Sequence, residues 1–300
     1  MHEPMRLAAS PESPGLITAP KALAQGRLPT LDIFRGLIMA LMALDHTRDF
    51  FTNHPFEPEA LAQTNAVLFA TRWITHFCAP MFFFLAATAA FLYGRRKSPA
   101  GLRRFLWTRG VWLILIEFTV VGTAWSFNFP WGFFGVIWAL GASMLILAIV
   151  AGLRMQWIMI LSILVIAGHN TLDGLRPQQF GSLAWLWTVL HARGGAVLPF
   201  GARQFVLFPL IPLACVMTAG YAFGQVYLLD RDRRRQLMIR LGLGLTLTFL
   251  VLRLTNLYGN PPEGLGGVSQ GISTPSPVSK RHLSCFSMSR SILHRCNSFS

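Results

Sequence analysis

The chain has 300 residues, 53% of them hydrophobic and 13% charged, with a formal net charge of +14 and a mean hydropathy of +0.48. A soluble domain carries about a quarter charged residues, so the polar surface that would cover a globule in water is missing. This excludes a disordered chain, a secreted disulfide scaffold and a cytoplasmic enzyme, and apolar runs of bilayer-spanning length point to a multi-span membrane protein.

In chain order, residues 1–26 hold proline and scattered charge but no apolar h-region, so no signal peptide is expected, and residues 1–30 read as a cytoplasmic N-terminal segment. Residues 31–258 are expected to form an all-α, polytopic transmembrane bundle. Its spans, about seven, lie near 33–51, 73–93, 109–126, 131–153, 155–169, 204–229 and 237–256. The stretch 182–191 is too short to cross, and its tryptophans suit an interfacial helix. Cys78 and Cys215 fall inside apolar runs and Cys285 and Cys296 in the tail, which gives no disulfide framework.

The positive charge has a pattern. Arg95, Arg96, Lys97, Arg103 and Arg104 separate the second and third runs, Arg154 follows the fourth, and Arg231, Arg233, Arg234, Arg235 and Arg240 follow the sixth. The alternate loops are poor in Lys and Arg for their length. The positive-inside rule then places the N-terminus and the basic loops in the cytoplasm, so the net charge reports orientation rather than nucleic-acid binding. On that topology His46, His54, His76, His169 and His191 share the non-cytoplasmic side with Asp45, Asp49, Glu57, Glu59 and Asp173. Such a concentration fits either interfacial tolerance of histidine or an acid–base site at the outer leaflet.

The first span is the most informative stretch. Asp32 and Arg35 stand three apart and share a helix face, so an ion pair between them is expected. His46 lies eleven residues beyond Arg35 and returns to within about 20° of it. Asp49 extends that stripe. Ionisable groups in a span normally face the bundle interior or a wet cavity. Gly36, beside Arg35, leaves room for a neighbouring helix or a ligand.

Further along, Pro80 frees the carbonyl of His76 four residues before it, which puts exposed backbone beside a titratable side chain. Glu117 lies among apolar residues and needs a proton, a cation such as Arg35 or a histidine, or a helix-packing hydrogen bond. His169, Asn170 and Asp173 end the fifth span, as a turn or as part of a site. His191 precedes a flexible Arg193-Gly-Gly stretch and reads first as a surface histidine. Pro209 and Pro212 are expected to kink the sixth span, and Gly220 and Gly224 form a G-x-x-x-G packing motif. No spacing indicates a metal site, and no nucleotide-binding glycine loop or internal repeat is present.

Leu31-Asp-x-x-Arg-Gly36 followed by an apolar stretch and Asp45-His46 resembles the opening of the membrane acyltransferase superfamily. Four further stretches narrow the resemblance to the bacterial branch of the heparan-α-glucosaminide N-acetyltransferase catalytic-domain family. These are Thr71-Arg-Trp-Ile-Thr-His-Phe-Cys-Ala-Pro80, Gly168-His-Asn-Thr-Leu-Asp173, Phe208-Pro-Leu-Ile-Pro212 and Gly220-Tyr-Ala-Phe-Gly224. The resemblance implies an integral membrane acyltransferase, in the cytoplasmic membrane of a bacterium, moving an acyl group from acyl-CoA to an amine or hydroxyl acceptor. In the best-known member these are acetyl-CoA on the cytoplasmic side and a glucosamine amine across the membrane. Acyl-CoA would be a co-substrate with no permanently bound cofactor; the bilayer, the acceptor and a second copy of the chain are the partners considered.

On that implication Asp32 and Arg35 would hold the donor or anchor the inner end of span one. His46 or His76 would be the base, with Asp45 or Asp49 orienting the imidazole. Glu117, His169, Asn170 and Asp173 would line the binding region. The family's catalytic histidine sits in a local sequence without a match here, so the choice of base stays open. Two other classes compete: a transporter without covalent chemistry, and an accessory subunit. Beyond residue 259 ten serines and scattered basic residues replace the apolar pattern, which reads as a disordered tail or as the product of a frame shift that truncates the last spans.

Overall fold

The computed structural model describes residues 29–51, 64–126 and 133–255, and the N-terminal segment, the serine-rich tail, His54, Glu57 and Glu59 lie outside them. The described chain is mostly helical. Helix α1 is Pro29–Phe51, α2 Ala66–Thr75, α3 Cys78–Gly94 and α4 Pro99–Ile116. From α4 the chain passes through a π-helical turn, Glu117–Val121, into α5, Gly122–Ser126. Helices α6, Val136–Val150, and α7, Met155–Gly168, follow, and then α8, Ala184–Leu190. Strands β1, Gly194–Val197, and β2, Arg203–Val206, precede α9, Leu210–Phe223, and α10, Arg231–Thr255. The chain divides into two compact units, Met1–Leu237 and Met238–Ser300.

Local chemistry sets the helix ends. Asn65 caps α2 by accepting the Leu68 N–H at 2.8 Å, and Ser98 caps α4 by accepting the Gly101 N–H at 3.1 Å. With Pro99 in the first turn, α4 begins ten residues before the expected 109, so Arg103 and Arg104 ride on the helix rather than in a loop. Pro80 sits in the first turn of α3, and the chain breaks at His76 and Phe77 between α2 and α3. Pro209 is the N-cap of α9 and Pro212 lies in its first turn. They start this helix instead of kinking it, and the residues just before, expected to be helical, pair as a strand.

Among the described residues five helical segments are long and apolar enough to cross a membrane: Ala66–Gly94, Pro99–Ala124, Met155–Leu172, Leu210–Leu228 and Arg231–Leu252. Of the seven expected spans, those near 33–51 and 131–153 do not meet that length and composition measure. Helix α1 carries Asp32, Arg35, Asp45, Arg48 and Asp49, and α6, at 15 residues, is short. The all-α expectation also gains a small antiparallel hairpin, β1 on β2, with Gly194 opposite Val206 and Ala196 opposite Gln204. It ties into the segment ahead of α6: Phe134 N–H donates to Phe205 O at 2.9 Å, and Leu207 N–H to Phe134 O at 3.1 Å. Non-helical backbone beside a membrane span is thereby hydrogen-bonded within the protein.

In the first unit α9 is the central helix, packed on α3, α6 and α7. Phe83, Leu106, Leu147 and Met217 fill the core between the helices. Backbones meet at small residues. A Cβ on Gly220 would fall on the backbone of Phe84, and one on Gly110 would lie 2.8 Å from the Gly141 carbonyl oxygen. The Thr88 hydroxyl donates to Gly220 O at 2.9 Å, and the Ser162 and Thr218 hydroxyls meet at 2.7 Å in the interior. A Cβ on Gly36, in contrast, would meet nothing within 4 Å.

These pairings fix which loops share an end. Helices α1 and α3 are antiparallel, joined by Arg35 with Leu85 near one end, while Asp45 meets Thr75 of α2 at the other. Helices α4 and α6 are antiparallel through Gly110 with Gly141 and Glu117 with Trp138. Helices α3 and α9 run parallel, Gly220 against Phe84 and Gly224 against Phe91. One end therefore gathers Arg95, Arg96, Lys97, Arg154 and the Arg231–Arg235 run, and the other the C-terminal end of α1, the start of α2, and residues 169–209.

Candidate functional site

The end opposite the basic loops holds two polar clusters. The first is built on Asp45, near the C-terminal end of α1. Its Oδ1 accepts from Arg48 Nη2 at 2.5 Å and from the Thr75 hydroxyl at 2.7 Å, and its Oδ2 faces Arg72 Nη1 at 3.4 Å. Arg48 lies three residues on along the same helix, whereas Arg72 and Thr75 arrive from α2. Two guanidiniums face one carboxylate, so the three charged groups sum to a positive cluster. Beside them runs a cleft of about 600 Å³, lined by Leu44, Asp45, Arg48, Asn65, Leu68 and Thr75.

His46 is half-buried on α1 next to Asp45. His76 is exposed at the break between α2 and α3, its Nδ1 3.1 Å from the Arg72 carbonyl oxygen. Arg72 is thus common to both, its guanidinium toward Asp45 and its carbonyl toward His76. The side chain of Asp49 lies outside the described residues.

The second cluster is formed by the turns after α7. His191, at the C-terminal end of α8, places Nε2 3.0 Å from Asp173 Oδ1. The His191 side chain is 4% exposed and that of Asp173 45%. The Trp187 ring lies 4.9 Å from that of His191 and stacks on Phe180, and the Trp187 indole N–H donates to Leu175 O at 3.0 Å. His169 stands with its ring 6.2 Å from His191 and its Nδ1 2.9 Å from the Ile166 carbonyl oxygen. Asn170 is half-buried in the same turn. A carboxylate aligns one ring nitrogen of a buried imidazole and leaves the other for chemistry, the arrangement that tautomer control requires.

Glu117 has a different partner from the cation considered above. The carboxyl is 1% exposed, and its Oε2 accepts the Trp138 N–H at 3.0 Å, with the Gly135 and Ile137 amides also turned toward it. It caps α6 from the end of α4, where the unpaired N–H groups and the helix dipole favour a carboxyl oxygen. A Cβ on Gly135 would collide with that carboxylate. The expected pair of Asp32 and Arg35 does not form: Asp32 is exposed, and Arg35 Nη2 instead donates to Leu85 O on α3 at 3.4 Å. A carbonyl of a packed helix satisfies the guanidinium without drawing the exposed Asp32 out of its surroundings.

The structure thus joins Asp45 to α2, and Asp173 to His191 near His169, and leaves Asp32 and Arg35 at the opposite end. Sequence reading took His191 for a surface histidine, whereas it is buried against Asp173, and gave Arg72 and Thr75 no role, because each finds its partner through the fold. Among the described residues no group of three His, Cys, Asp or Glu side chains is set to hold a metal ion.

A family model described as heparan-alpha-glucosaminide N-acetyltransferase, catalytic, matches residues 27–251, a stretch that takes in both clusters and every described helix apart from the last turn of α10. No curated protein and no solved structure matches the chain.

Proposed function

The chain belongs to the heparan-α-glucosaminide N-acetyltransferase catalytic family, and on that footing we propose that it transfers an acyl group, acetyl by analogy with the family's description, from acyl-CoA to an amine or hydroxyl acceptor such as a sugar. The observation that carries this reading is the family match together with the division of polar groups between the two ends of the bundle.

Counting α1 and α6 beside the five long apolar segments makes seven crossings. The basic end then faces the cytoplasm under the positive-inside rule, and so does the N-terminus. At that end Arg35 and the arginine-rich turns suit the phosphates of coenzyme A, which guanidinium groups bind by paired hydrogen bonds. At the far end a histidine takes the acceptor's proton. His46 and His76 are the bases read from the sequence, and Asp45 holds the wall beside them. His169, Asn170 and Asp173 line the acceptor side, and Glu117 steadies α6 behind it. In a bacterium this places the enzyme in the cytoplasmic membrane, working alone or as a homodimer.

The test is label transfer by the purified full chain in detergent, from labelled acetyl-CoA to a panel of amino sugars. Transfer supports the reading. If the chain neither binds acetyl-CoA nor moves label, the reading fails, and substrate flux through the protein in liposomes without coenzyme A turnover would establish the transporter class instead.

A further inference from the structure

We propose that His191, held by Asp173, is the proton acceptor of the transfer reaction, and that the acceptor's N–H or O–H binds at its Nδ1. The inference rests on the acyltransferase reading and specifies the reacting group within it.

Three observations lead there. An ionised carboxylate only accepts hydrogen bonds, so contact with Asp173 Oδ1 at 3.0 Å puts the ring proton on Nε2. That leaves Nδ1 as the nitrogen with a free lone pair. This atom is buried and has no hydrogen-bond partner among the described residues, an arrangement that costs free energy until a donor fills it. The ring is immobilised by Trp187 at 4.9 Å, itself stacked on Phe180 and hydrogen-bonded to Leu175. A base fixed in tautomer and orientation, with its reactive atom kept from the protein's own donors, is what general-base catalysis requires.

A second unpartnered acceptor belongs to the same segment. Gln204 Oε1 is buried without a donor among the described residues, on the inner face of β2, whose partner strand β1 starts three residues after His191. Asp45, in contrast, has both oxygens engaged by Arg48, Arg72 and Thr75, which makes it a clamp between α1 and α2.

In the step itself the acceptor nitrogen or oxygen bonds to the acyl carbonyl carbon and its proton passes to His191 Nδ1. The carbon–sulfur bond breaks with its electron pair on sulfur, and the proton returns to that sulfur as the coenzyme A thiol. Asp173 remains ionised throughout and stabilises the imidazolium. It is a positioning residue.

The experiment compares the full-length wild type with His191→Ala, His191→Gln, Asp173→Asn, His46→Ala and His76→Ala in nanodiscs, using labelled acetyl-CoA and glucosamine, and measures acetyl-CoA binding separately. We expect both His191 variants to lose on the order of 10²- to 10⁴-fold in kcat with acetyl-CoA binding unchanged. Added imidazole should restore part of the rate in His191→Ala and none in His191→Gln, and Asp173→Asn should lower kcat with KM held. Transfer within threefold of wild type in the His191 variants would overturn the assignment, as would a loss without imidazole rescue that tracks lost acetyl-CoA binding. A wild type that moves no label to any acceptor would instead bring down the acyltransferase reading itself.

Discussion

Glu117 and Trp138 lie 21 residues apart, and the carboxyl of one accepts the backbone N–H of the other at 3.0 Å, so that a side chain at the end of α4 caps the helix after next. Removing it leaves the first amides of α6 without an acceptor in a nearly dry setting. We predict that Glu117→Ala lowers the thermal midpoint in detergent by more than Glu117→Gln, which keeps one acceptor oxygen. The cap alone is worth about 1–2 kcal/mol. Equal midpoints for Glu117→Ala and the wild type would refute this role.

Two glycines test the packing. Gly220→Ala sets a methyl group against the backbone of Phe84, and backbone cannot move aside as a side chain can, so a loss of roughly 1–3 kcal/mol is expected. Gly36→Ala meets nothing within 4 Å and gains helix propensity of up to about 1 kcal/mol. Unfolding in detergent should therefore rank Gly36→Ala at or above the wild type and Gly220→Ala below it.

Asp45 joins three donors from two helices. Thr75→Val deletes one neutral hydrogen bond, worth roughly 0.5–1.5 kcal/mol. Asp45→Ala leaves two part-buried guanidiniums facing each other, a cost that approaches the roughly 3–5 kcal/mol of a buried ion pair broken on one side, reduced by the exposure that remains. Thermal unfolding in detergent should have its lowest midpoint in Asp45→Ala. A Thr75→Val chain with a midpoint as low as that of Asp45→Ala would contradict that order.

The hydroxyl pair of Ser162 and Thr218 lies in the interior between α7 and α9, 2.7 Å apart. Thr218→Val keeps the shape and removes one partner, so about 1 kcal/mol is expected. The double variant Ser162→Ala/Thr218→Val should cost less than the two single changes together, and a strictly additive cycle would show that the two hydroxyls do not interact.

Much of this architecture is legible in the sequence and some is not, for physical reasons. Apolar runs locate the spanning helices because lipid and core select the same residues, and Gly220 and Gly224 are readable as packing positions because their spacing is local. Helix starts are harder. Arg103 and Arg104 suggest a loop, yet Ser98 and Pro99 begin α4 ahead of them, and Pro209 and Pro212 start α9 where a continuous apolar run hides the turn. Polar partners are the least legible. Arg35 has Asp32 at a favourable helical spacing and still bonds to a carbonyl on another helix. His191 has no signal near it, since Asp173 stands 18 residues away and reaches it only through the turns that follow α7.

The measurement that tests the central claim most directly uses proteoliposomes with the basic end outward, labelled acetyl-CoA outside and glucosamine enclosed. The account predicts that label appears on the enclosed amine, with free coenzyme A released outside in equal amount. Glucosamine that crosses unmodified, with acetyl-CoA intact, would contradict it.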